Sequence, residues 1–519
     1  TYYKGFAPRL GLNWSPGWHD GWLSKLTGGP SKTSISMGYG IFYNPIEQLV
    51  LEQFSAEPPF GGSNSLSNPL FQTPYVNQSG GTSPNPFNGI LNPTRNQGAD
   101  FSVFRPAILF GEFPADLRLQ YSDQYNLTIK RELPHDLLVQ VGDVGSQGHR
   151  LLASYEINTS ATTALACNQL QAISTFYAPA FPGQPANPNA NAALSSAYAC
   201  GPFSEDVAFS LPANSIPNGF TLNLPYGSVP SVSGPNANPI TLVGLRPFSS
   251  PNCQPLNPNP LTNGCPADGK PVFGGIFTEN TVGKSNYNSF QALFEKRFSH
   301  GLQFQASYTL SKSLDTASSF EDALNPLNFR ATYGPSAFDA RHRFVFNYVW
   351  DIPVPKMDGV RGKLLNGWQA SGILSFQRGF PIRITSTSDV EQLDSTFLFE
   401  APGEPSLTGP FHTQDIRKNG GFVFNPALFT NAIAPGTIGN APRTICCGPG
   451  INNWDMSFNK LTKLGERLQM EFRGDLFNVW NHAQFYSVDG NVSNQGTTFG
   501  QVQHVRDPRL AQLALKFKF

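Results

Sequence analysis

The sequence lacks any apolar run of about 18 residues, and it is poor in charge. Because a helix needs about 20 apolar residues to cross a bilayer, the missing run excludes a transmembrane helix. Charged residues make up 13% of the 519 residues, which is about half the usual share for soluble domains. Basic and acidic residues number 35 each, so the chain has no net charge with which to attract nucleic acid, and no nucleic-acid partner is expected.

Sequence motifs for catalysis are also lacking. No G-x-S-x-G nucleophile elbow occurs, and the eight histidines show no H-E-x-x-H or other paired ligand spacing. Gly283-Lys284-Ser285 resembles the end of a phosphate-binding loop, but Thr278 occupies the position of its first glycine. We therefore expect no enzyme activity, no metal site and no cofactor.

Cysteines are few, and none of the six lies in a stretch with strand character. Four of them fall in the longest irregular stretch, where we expect two loop disulfides typical of an oxidising compartment. The expected pairs are Cys167 with Cys200 and Cys253 with Cys265. Cys446 and Cys447 are adjacent, and the sequence assigns them no role.

What the sequence does contain is strict alternation of apolar and polar residues. In the final stretch AQLALKFKF, Leu513, Leu515, Phe517 and Phe519 share one face, and polar or small residues occupy the other. Ten further segments alternate in a similar way, and they run about 10–14 residues, against about 5–6 for an ordinary strand. Tilted membrane strands need about 9–11 residues. The eleven predicted strands are 6–14, 32–43, 118–131, 136–146, 287–299, 302–313, 341–353, 367–379, 453–462, 467–480 and 508–519.

The connections between these segments alternate between short and long. Short turns at one end and long loops at the other are typical of outer-membrane barrels. A soluble sandwich has no reason to alternate short and long connections in this way. Counting back from the last strand places all the long loops outside the cell. The predicted extracellular loops are about 44–117, 147–286, 314–340, 388–452 and 481–507.

Four tryptophans lie near the ends of predicted strands: Trp350, Trp368, Trp454 and Trp480. In a membrane barrel such residues form aromatic girdles at the two interfaces. In a soluble protein they would be core or sugar-stacking residues. Because all four sit close to turns, we favour the girdle.

Seven stretches of the chain resemble TonB-dependent outer-membrane receptors of the Oar-like kind. They are FAPRLGLNWSP, SISMGYGIFYNP, VQVGDVGSQGHRL, FDARHRFVFNYVWDIP, GWQASGILSFQRGFP, FRGDLFNVWNHAQF and FGQVQHVRDPRLAQLALKFKF. The resemblance implies a carboxypeptidase-regulatory-like domain, a plug and a barrel of about 22 strands. The eleven or twelve strands visible here would then be a C-terminal portion. The plug, the first strands and the energy-coupling box would lie upstream, and the start without Met is interpreted as that of a fragment.

The same resemblance implies a role for the final strand as a sorting signal for the barrel-assembly machinery. Its positions would be Gln512, Ala514, Phe517 and Phe519, with Ala514 in place of the usual glycine. The last strand must pair with that machinery and then with the first strand of the barrel, which removes the open edge.

The expected fold is therefore all-β: the C-terminal part of a large transmembrane antiparallel β-barrel, with one domain over residues 1–519 and long extracellular loops. The expected function is that of an outer-membrane receptor that captures an unknown extracellular ligand for TonB-energised uptake. Its partners would be outer-membrane lipid, the barrel-assembly machinery and, through the absent N-terminal region, the TonB complex. Two alternatives remain: a structural or adhesive barrel without import, and a secreted, soluble β-rich glycan-binding protein.

Overall fold

The fold is dominated by one large antiparallel sheet. The computed structural model describes residues 5–45, 69–77, 107–158, 210–211, 221–224, 227–230, 240–241, 273–319, 322, 324–325, 328–386, 405–431, 439–465 and 467–519. Eleven strands follow one another as neighbours in chain order, and each pairs antiparallel with the next. They are β1 (Arg9–Trp14), β2 (Thr33–Asn44), β3 (Gln120–Leu133), β4 (Leu137–Glu156), β5 (Phe273–Ser299), β6 (Leu302–Asp315), β7 (His342–Asp351), β8 (Trp368–Gln377), β9 (Ile451–Lys463), β10 (Gln469–Phe477) and β11 (Leu510–Lys518).

The remaining elements are short and lie in the connections. Ala107–Glu112 pairs parallel with β5, and Gly334–Pro335 pairs with β6. Two helices occur in the short connections, α1 (Gly21–Thr27) and α2 (Gly359–Leu365), and two 3₁₀ turns occur in the long ones, Pro426–Leu428 and Val492–Asn494. Six small ribbons complete the list: Pro69–Leu70 with Thr73–Asn77, Ser210–Leu211 with Ile240–Thr241, Thr221–Leu224 with Gly227–Pro230, Ile382–Arg383 with Thr444–Ile445, Ser406–Leu407 with Phe429–Thr430, and Phe485–Val488 with Val502–Val505.

The pairing register carries the alternation of each strand across the whole sheet. One row of partners is mostly apolar: Val139, Phe294, Ala306, Phe346, Leu374 and Trp454. A row on the opposite face is polar apart from a glycine: Thr128, Gly142, Gln291, Thr309, Arg343 and Gln377. Because a slip of one residue would mix the two faces, this register fixes one outward apolar face and one polar face.

All eleven predicted strands are present, and the short and long connections do lie at opposite ends of the sheet. The largest difference from the prediction is the length of β4 and β5, which have 20 and 27 residues. Both continue into the predicted loop 147–286. About 9–11 residues of each suffice to cross a bilayer, so their paired far ends project beyond the membrane on the long-connection side.

The two edges of this sheet, β1 and β11, run in the same direction, because a meander of eleven strands is odd-numbered. They therefore cannot pair antiparallel with each other. An all-antiparallel barrel has an even number of strands, so this set needs an odd number of additional strands to close. The total of 22 strands stays a prediction. Among the described residues, no helix has the length and apolar character needed to cross a membrane.

Candidate ligand-binding face

The long connections pack together around a small apolar core at one end of the sheet. The three most buried rings are Phe424, Phe429 and Phe499, and their centroids lie 5.2–5.4 Å apart. The other buried members of this cluster, which we call the loop core, are Ile382, Ile384, Val423, Ala441, Ile445 and Val492. The loop core joins residues from two connections, 378–450 and 478–509, so these connections fold as one unit.

Two asparagine-capped turns help to build the loop core. The Asn425 side chain accepts a hydrogen bond from the Ala427 backbone N–H at 3.0 Å and starts a 3₁₀ turn just before Phe429. Asn491 does the same for the Ser493 N–H at 3.0 Å and starts the turn that contains Val492. Asparagine favours such caps because its short side chain satisfies a backbone donor that has no partner within the turn.

A buried ion cluster fastens the loop core to the end of β6. Arg443 donates to Asp315 at the end of β6 and to Asp322 Oδ2 at 3.2 Å. It also donates to the Thr332 carbonyl at 3.0 Å, and Arg383 reaches Asp322 Oδ1 at 2.8 Å. The Arg443 guanidinium and both carboxylates are almost fully buried, so each charge depends on the others for compensation.

The projecting ends of β4 and β5 enclose a second set of acidic groups. Ser154 donates a hydrogen bond to the buried carboxylate of Glu279, and the Leu324 N–H donates to the Ser154 carbonyl at 2.7 Å. Burial raises the pKa of Glu279 to about 7, against the smaller opposing effect of the hydrogen bond from Ser154. Glu156, diagonally across the pair, accepts from the Ile276 N–H at 2.7 Å. This region therefore contains a carboxyl group that titrates near neutral pH.

A recess of ≈ 780 Å³ opens beneath the long connections. It lies where β7 and β9 begin and where β8 and β10 stop. Its lining combines cations, carboxylates, amides and aromatic rings, including Arg343, Asp455, Gln377, Tyr486 and Arg506. Most of the strand residues that line it belong to the polar face of the sheet. The recess thus joins the polar face to the surface formed by the long connections.

Hydrogen bonds hold one wall of the recess in place. Asp455 Oδ1 accepts from the Asn478 N–H at 2.9 Å and from Asn453 Nδ2 at 3.0 Å. The Gln484 side chain bonds to the Asn452 backbone at both ends of its amide. Its Oε1 accepts a hydrogen bond from the Asn452 N–H at 2.9 Å, and its Nε2 donates one to the Asn452 carbonyl. Because these side chains are fixed by their neighbours, the wall is largely preformed.

Two arginines of the recess are differently placed. The Arg506 guanidinium lies 5.1 Å from the centroid of the Tyr486 ring, which is a cation–π geometry. Arg343 is exposed and, within the part of the chain that the structure describes, its guanidinium makes no hydrogen bond or ion pair. An aromatic platform, fixed amides and a free guanidinium together can hold a polar ligand by stacking and hydrogen bonding.

The four predicted girdle tryptophans fall two at each end of the sheet. Trp350 and Trp368 are at the short-connection end, where β7 stops and β8 starts, and both belong to the outward apolar face. Trp454 and Trp480 are at the long-connection end, with ring centroids 5.8 Å apart. Contact of these four residues with a lipid interface stays a prediction.

The predicted assembly-signal residues lie on or after β11. Gln512 and Ala514 are on the polar face opposite Asp475 and Arg473, and Phe517 is on the apolar face opposite Met470. Phe519 follows the strand and is fully exposed. Their role in assembly stays a prediction.

The cysteine predictions are mostly untested. The four loop cysteines lie outside the described residues: Cys167, Cys200, Cys253 and Cys265. Cys446 and Cys447, to which the sequence assigned no role, form a disulfide with each other. They lie three and four residues after Arg443 in the same connection.

Sequence reasoning missed the loop core and the ion cluster. In the ion cluster, Arg443 lies 121 residues after Asp322 and 128 residues after Asp315, and nothing in the sequence distinguishes these three from other charged residues. The phenylalanines of FVFNPALFT gave a usable signal, because three aromatic rings within eight residues are unusual for a solvated loop. Within the described residues, no group of three or more His, Cys, Asp and Glu side chains is arranged to hold a metal ion.

Comparisons with solved structures find several transporters and receptors at low identity and low TM-score. The outer membrane transporter YddB from Escherichia coli is 10% identical, with a TM-score of 0.35, and the match covers 94% of this chain and 38% of that chain. The ferric-catecholate import receptor Fiu from E. coli K12 is 8% identical, with a TM-score of 0.33 and coverage of 94% and 33%. The siderophore receptor PirA from Acinetobacter baumannii is 8% identical, with a TM-score of 0.35 and coverage of 98% and 40%. The chain thus spans two fifths or less of the length of these proteins.

The family comparison is more direct. No curated protein matches this chain. A family model described as an outer membrane beta barrel domain matches residues 1–512, which is nearly the whole sequence. This placement in the outer membrane excludes the secreted, soluble alternative, and it agrees with a sheet whose apolar side chains face outward. The chain belongs to the outer membrane β-barrel domain family.

Proposed function

We propose that this chain forms the C-terminal wall and ligand-capturing face of a TonB-dependent, Oar-like outer-membrane receptor. One observation carries the proposal: the folded long connections and the recess lie at one end of the sheet, and the recess opens onto its polar face. In a closed barrel the polar face lines the interior. A ligand held in the recess would therefore sit at the entrance to a transport path.

The orientation follows from the general architecture of outer-membrane barrels. Their turns are short on the periplasmic side and longer on the outer side. The loop core, the ion cluster and the recess would then face the cell exterior, and α1 and α2 would face the periplasm. This orientation gives the packed connections a role, because a rigid surface loses less entropy than mobile loops when it binds a ligand.

The ligand class is proposed from the size and chemistry of the recess. A volume of ≈ 780 Å³ lies within the usual range for small-molecule sites and admits a bulky polar molecule such as a glycan unit, a peptide or a metal chelate. Tyr486 offers a stacking surface, and Arg343 offers a donor fork for carboxylate or phosphate oxygens. We expect import to require the plug and the TonB complex, as the resemblance to Oar-like receptors implies, and assembly to require the barrel-assembly machinery.

The test compares cells that express the full-length protein with cells from which its gene is deleted. Culture medium is sampled by untargeted mass spectrometry with and without a protonophore, which abolishes energy for import. We expect gene-dependent depletion of at least one compound, and we expect the protonophore to stop it. If a compound binds to cells only when the gene is present, and the protonophore does not change that binding, the adhesive barrel would be indicated instead.

A second experiment asks whether the recess is the site. Arg343→Ala and Tyr486→Ala should each weaken capture of the compound found in the first experiment by about tenfold, which corresponds to one lost charged hydrogen bond or stacking contact. Arg417→Ala is the matched control, because Arg417 is an exposed arginine of a long connection that does not line the recess. Equal capture by all three variants would contradict the assignment of the recess.

A further inference from the structure

The two helices of the short-connection end have the same sequence pattern. Residues 20–26 read DGWLSKL and residues 358–364 read DGVRGKL, so each has Asp-Gly, an apolar residue, two variable positions and Lys-Leu. In both, the aspartate is the N-cap residue, the glycine has positive φ, and the helix has seven residues. The two segments are 338 positions apart and occupy equivalent connections, between β1 and β2 and between β7 and β8.

Each helix is held by a side chain from the outward face of the sheet. Arg131 of β3 lies in the same row as Val139 on that face, and its guanidinium donates to the carbonyls of Leu26 and, at 3.3 Å, of Lys25. Trp368 of β8, on the same face, donates its indole N–H to the Leu364 carbonyl at 3.0 Å. Both contacts reach the last turn of the helix. The helices are therefore fastened on the lipid side of the rim and not on the side of the polar face.

The free surface of each helix combines apolar side chains with one lysine. In α1, Trp22 is 72% exposed and Leu26 is 60% exposed. In α2, the corresponding Val360 and Leu364 are 75% and 63% exposed. Residues four apart lie on one side of a helix, so each pair forms an apolar strip, with Lys25 or Lys363 beside it. Among the described residues, neither lysine ammonium makes a hydrogen bond or ion pair.

The surrounding charge is basic. The two connections that contain the helices, 15–32 and 352–367, carry five basic residues and two acidic ones. The five long connections between the observed strands show the opposite balance, with 20 acidic and 14 basic residues; they are 45–119, 157–272, 316–341, 378–450 and 478–509. All five short connections together carry six basic and four acidic residues, so the basic excess at this end of the sheet lies at the two helices, where it suits an anionic surface.

We propose that α1 and α2 are interfacial anchors that bind anionic phospholipid headgroups of the leaflet on the short-connection side. In this arrangement the Trp22–Leu26 and Val360–Leu364 strips enter the boundary between headgroups and acyl chains, and Lys25 and Lys363 meet headgroup phosphates. Basic amphipathic helices bind membrane surfaces by this combination of apolar burial and charge attraction.

Lipid is the occupant that the geometry favours over a periplasmic protein. Both helices attach to the outward apolar face, which lipid covers in a membrane barrel. Trp350 and Trp368 end that face at the level of the helices, as aromatic residues do where hydrocarbon gives way to headgroups. The helical strips therefore continue the apolar face that lipid covers in a membrane barrel.

The test uses the full-length protein in detergent, titrated with phosphatidylglycerol or phosphatidylcholine, and native mass spectrometry counts bound lipid. Phosphatidylglycerol should bind more tightly than phosphatidylcholine. In the double variant Lys25→Gln/Lys363→Gln, the half-saturating concentration of phosphatidylglycerol should rise about fivefold for each lysine. Lys25→Arg/Lys363→Arg should bind as the unaltered protein does. Lys418→Gln, which removes an exposed lysine from a long connection, should have no effect.

Two further arms separate lipid from other anions. Trp22→Ser/Val360→Ser keeps both lysines but shortens both apolar strips, and it should also weaken lipid binding; soluble glycerol phosphate should not compete. Each variant is first confirmed as a folded barrel by its heat-modifiable migration. Unchanged lipid binding in the glutamine double variant would overturn the proposal. Binding that needs the lysines but not Trp22 and Val360, or that glycerol phosphate displaces, would overturn it in favour of a soluble polyanion.

Discussion

Phenylalanine occupies opposite environments in two regions of this protein. In the loop core, Phe424, Phe429 and Phe499 have at most 1% of their surface exposed. On the outward face of the sheet, Phe290 is 47% exposed and Phe294 is 38% exposed. The loop core is organised like the interior of a soluble domain, whereas the sheet carries its apolar side chains on the outside.

This difference shows that two solvents act on one chain. At the long-connection end, water drives apolar groups inward and forces buried charges to pair. Along the sheet, lipid covers the apolar groups, and the strands are held by their backbone pairing. Substitutions of the same kind should therefore have different consequences in the two regions, and four predictions test this.

The largest effect is expected at the ion cluster. Arg443→Met should destabilise the packed long connections by about 3–5 kcal/mol, because it takes the arginine away from the buried Asp315 and leaves the buried Asp322 with one arginine, Arg383, instead of two. Hydrogen exchange over residues 405–450 measures this local opening. Lys418→Met is the control, since its 3.9 Å pair with Asp415 is exposed and should contribute almost nothing. Similar exchange in the two variants would contradict a water-organised core.

Truncation of a ring should be nearly as costly in the loop core. Phe424→Ala is expected to cost about 3–5 kcal/mol, the range for a fully buried phenylalanine. Phe338→Ala, at a largely exposed ring, is the control and should cost far less. Protease sensitivity of the long connections in intact cells reports both variants. If Phe424→Ala were as resistant as the control, the loop core would not hold these connections together.

A charge on the outward face should have a smaller but still clear effect. Phe346→Arg is expected to cost about 2–4 kcal/mol, because the arginine must enter the hydrocarbon near the middle of a strand. Asn347→Arg places the same charge on the polar face one residue away, where water reaches it. The yield of heat-modifiable protein in outer membranes measures both. Equal yields would remove the distinction between the two faces.

The smallest effect is expected from pH. Because burial raises the pKa of Glu279 from 4.5 to about 7, the folded projection of β4 and β5 binds its proton more tightly than the unfolded chain does. Protonated Glu279 contributes fully to the stability of this projection below pH 4.5. The contribution is lost as the pH rises through about 7, and the free energy of unfolding then falls by about 2–3 kcal/mol. Glu279→Gln should remove this dependence. Hydrogen exchange corrected for intrinsic pH effects tests it, with Asp415→Asn as an exposed control.

The strands were predictable because their signal is local. Alternation within segments such as 302–313 states which residues share a face, and neighbouring strands in this fold are also neighbours in sequence. The lengths of β4 and β5 were underestimated, because outside the membrane their residues are buried by other connections and no longer alternate. Local pattern fails where tertiary contacts replace a uniform solvent.

The candidate site was predictable only as a location. The alternation of short and long connections placed the long ones at one end, but nothing in the sequence paired Arg443 with Asp315 or placed Arg343 and Tyr486 around one recess. The repeat in α1 and α2 gives no periodic signal in the sequence, because a seven-residue pattern recurs only once, 338 positions later. Its meaning appears only when Arg131 and Trp368 are seen to hold both helices on the same face.

The amino-acid sequence by itself determined the strands, their two faces and the end at which the long connections gather, because each depends on alternation and chain order. Only the tertiary structure decided how those connections pack, which charges are buried together and where the recess opens. These features join residues more than a hundred positions apart, and their energies come from burial and pairing that no single segment contains.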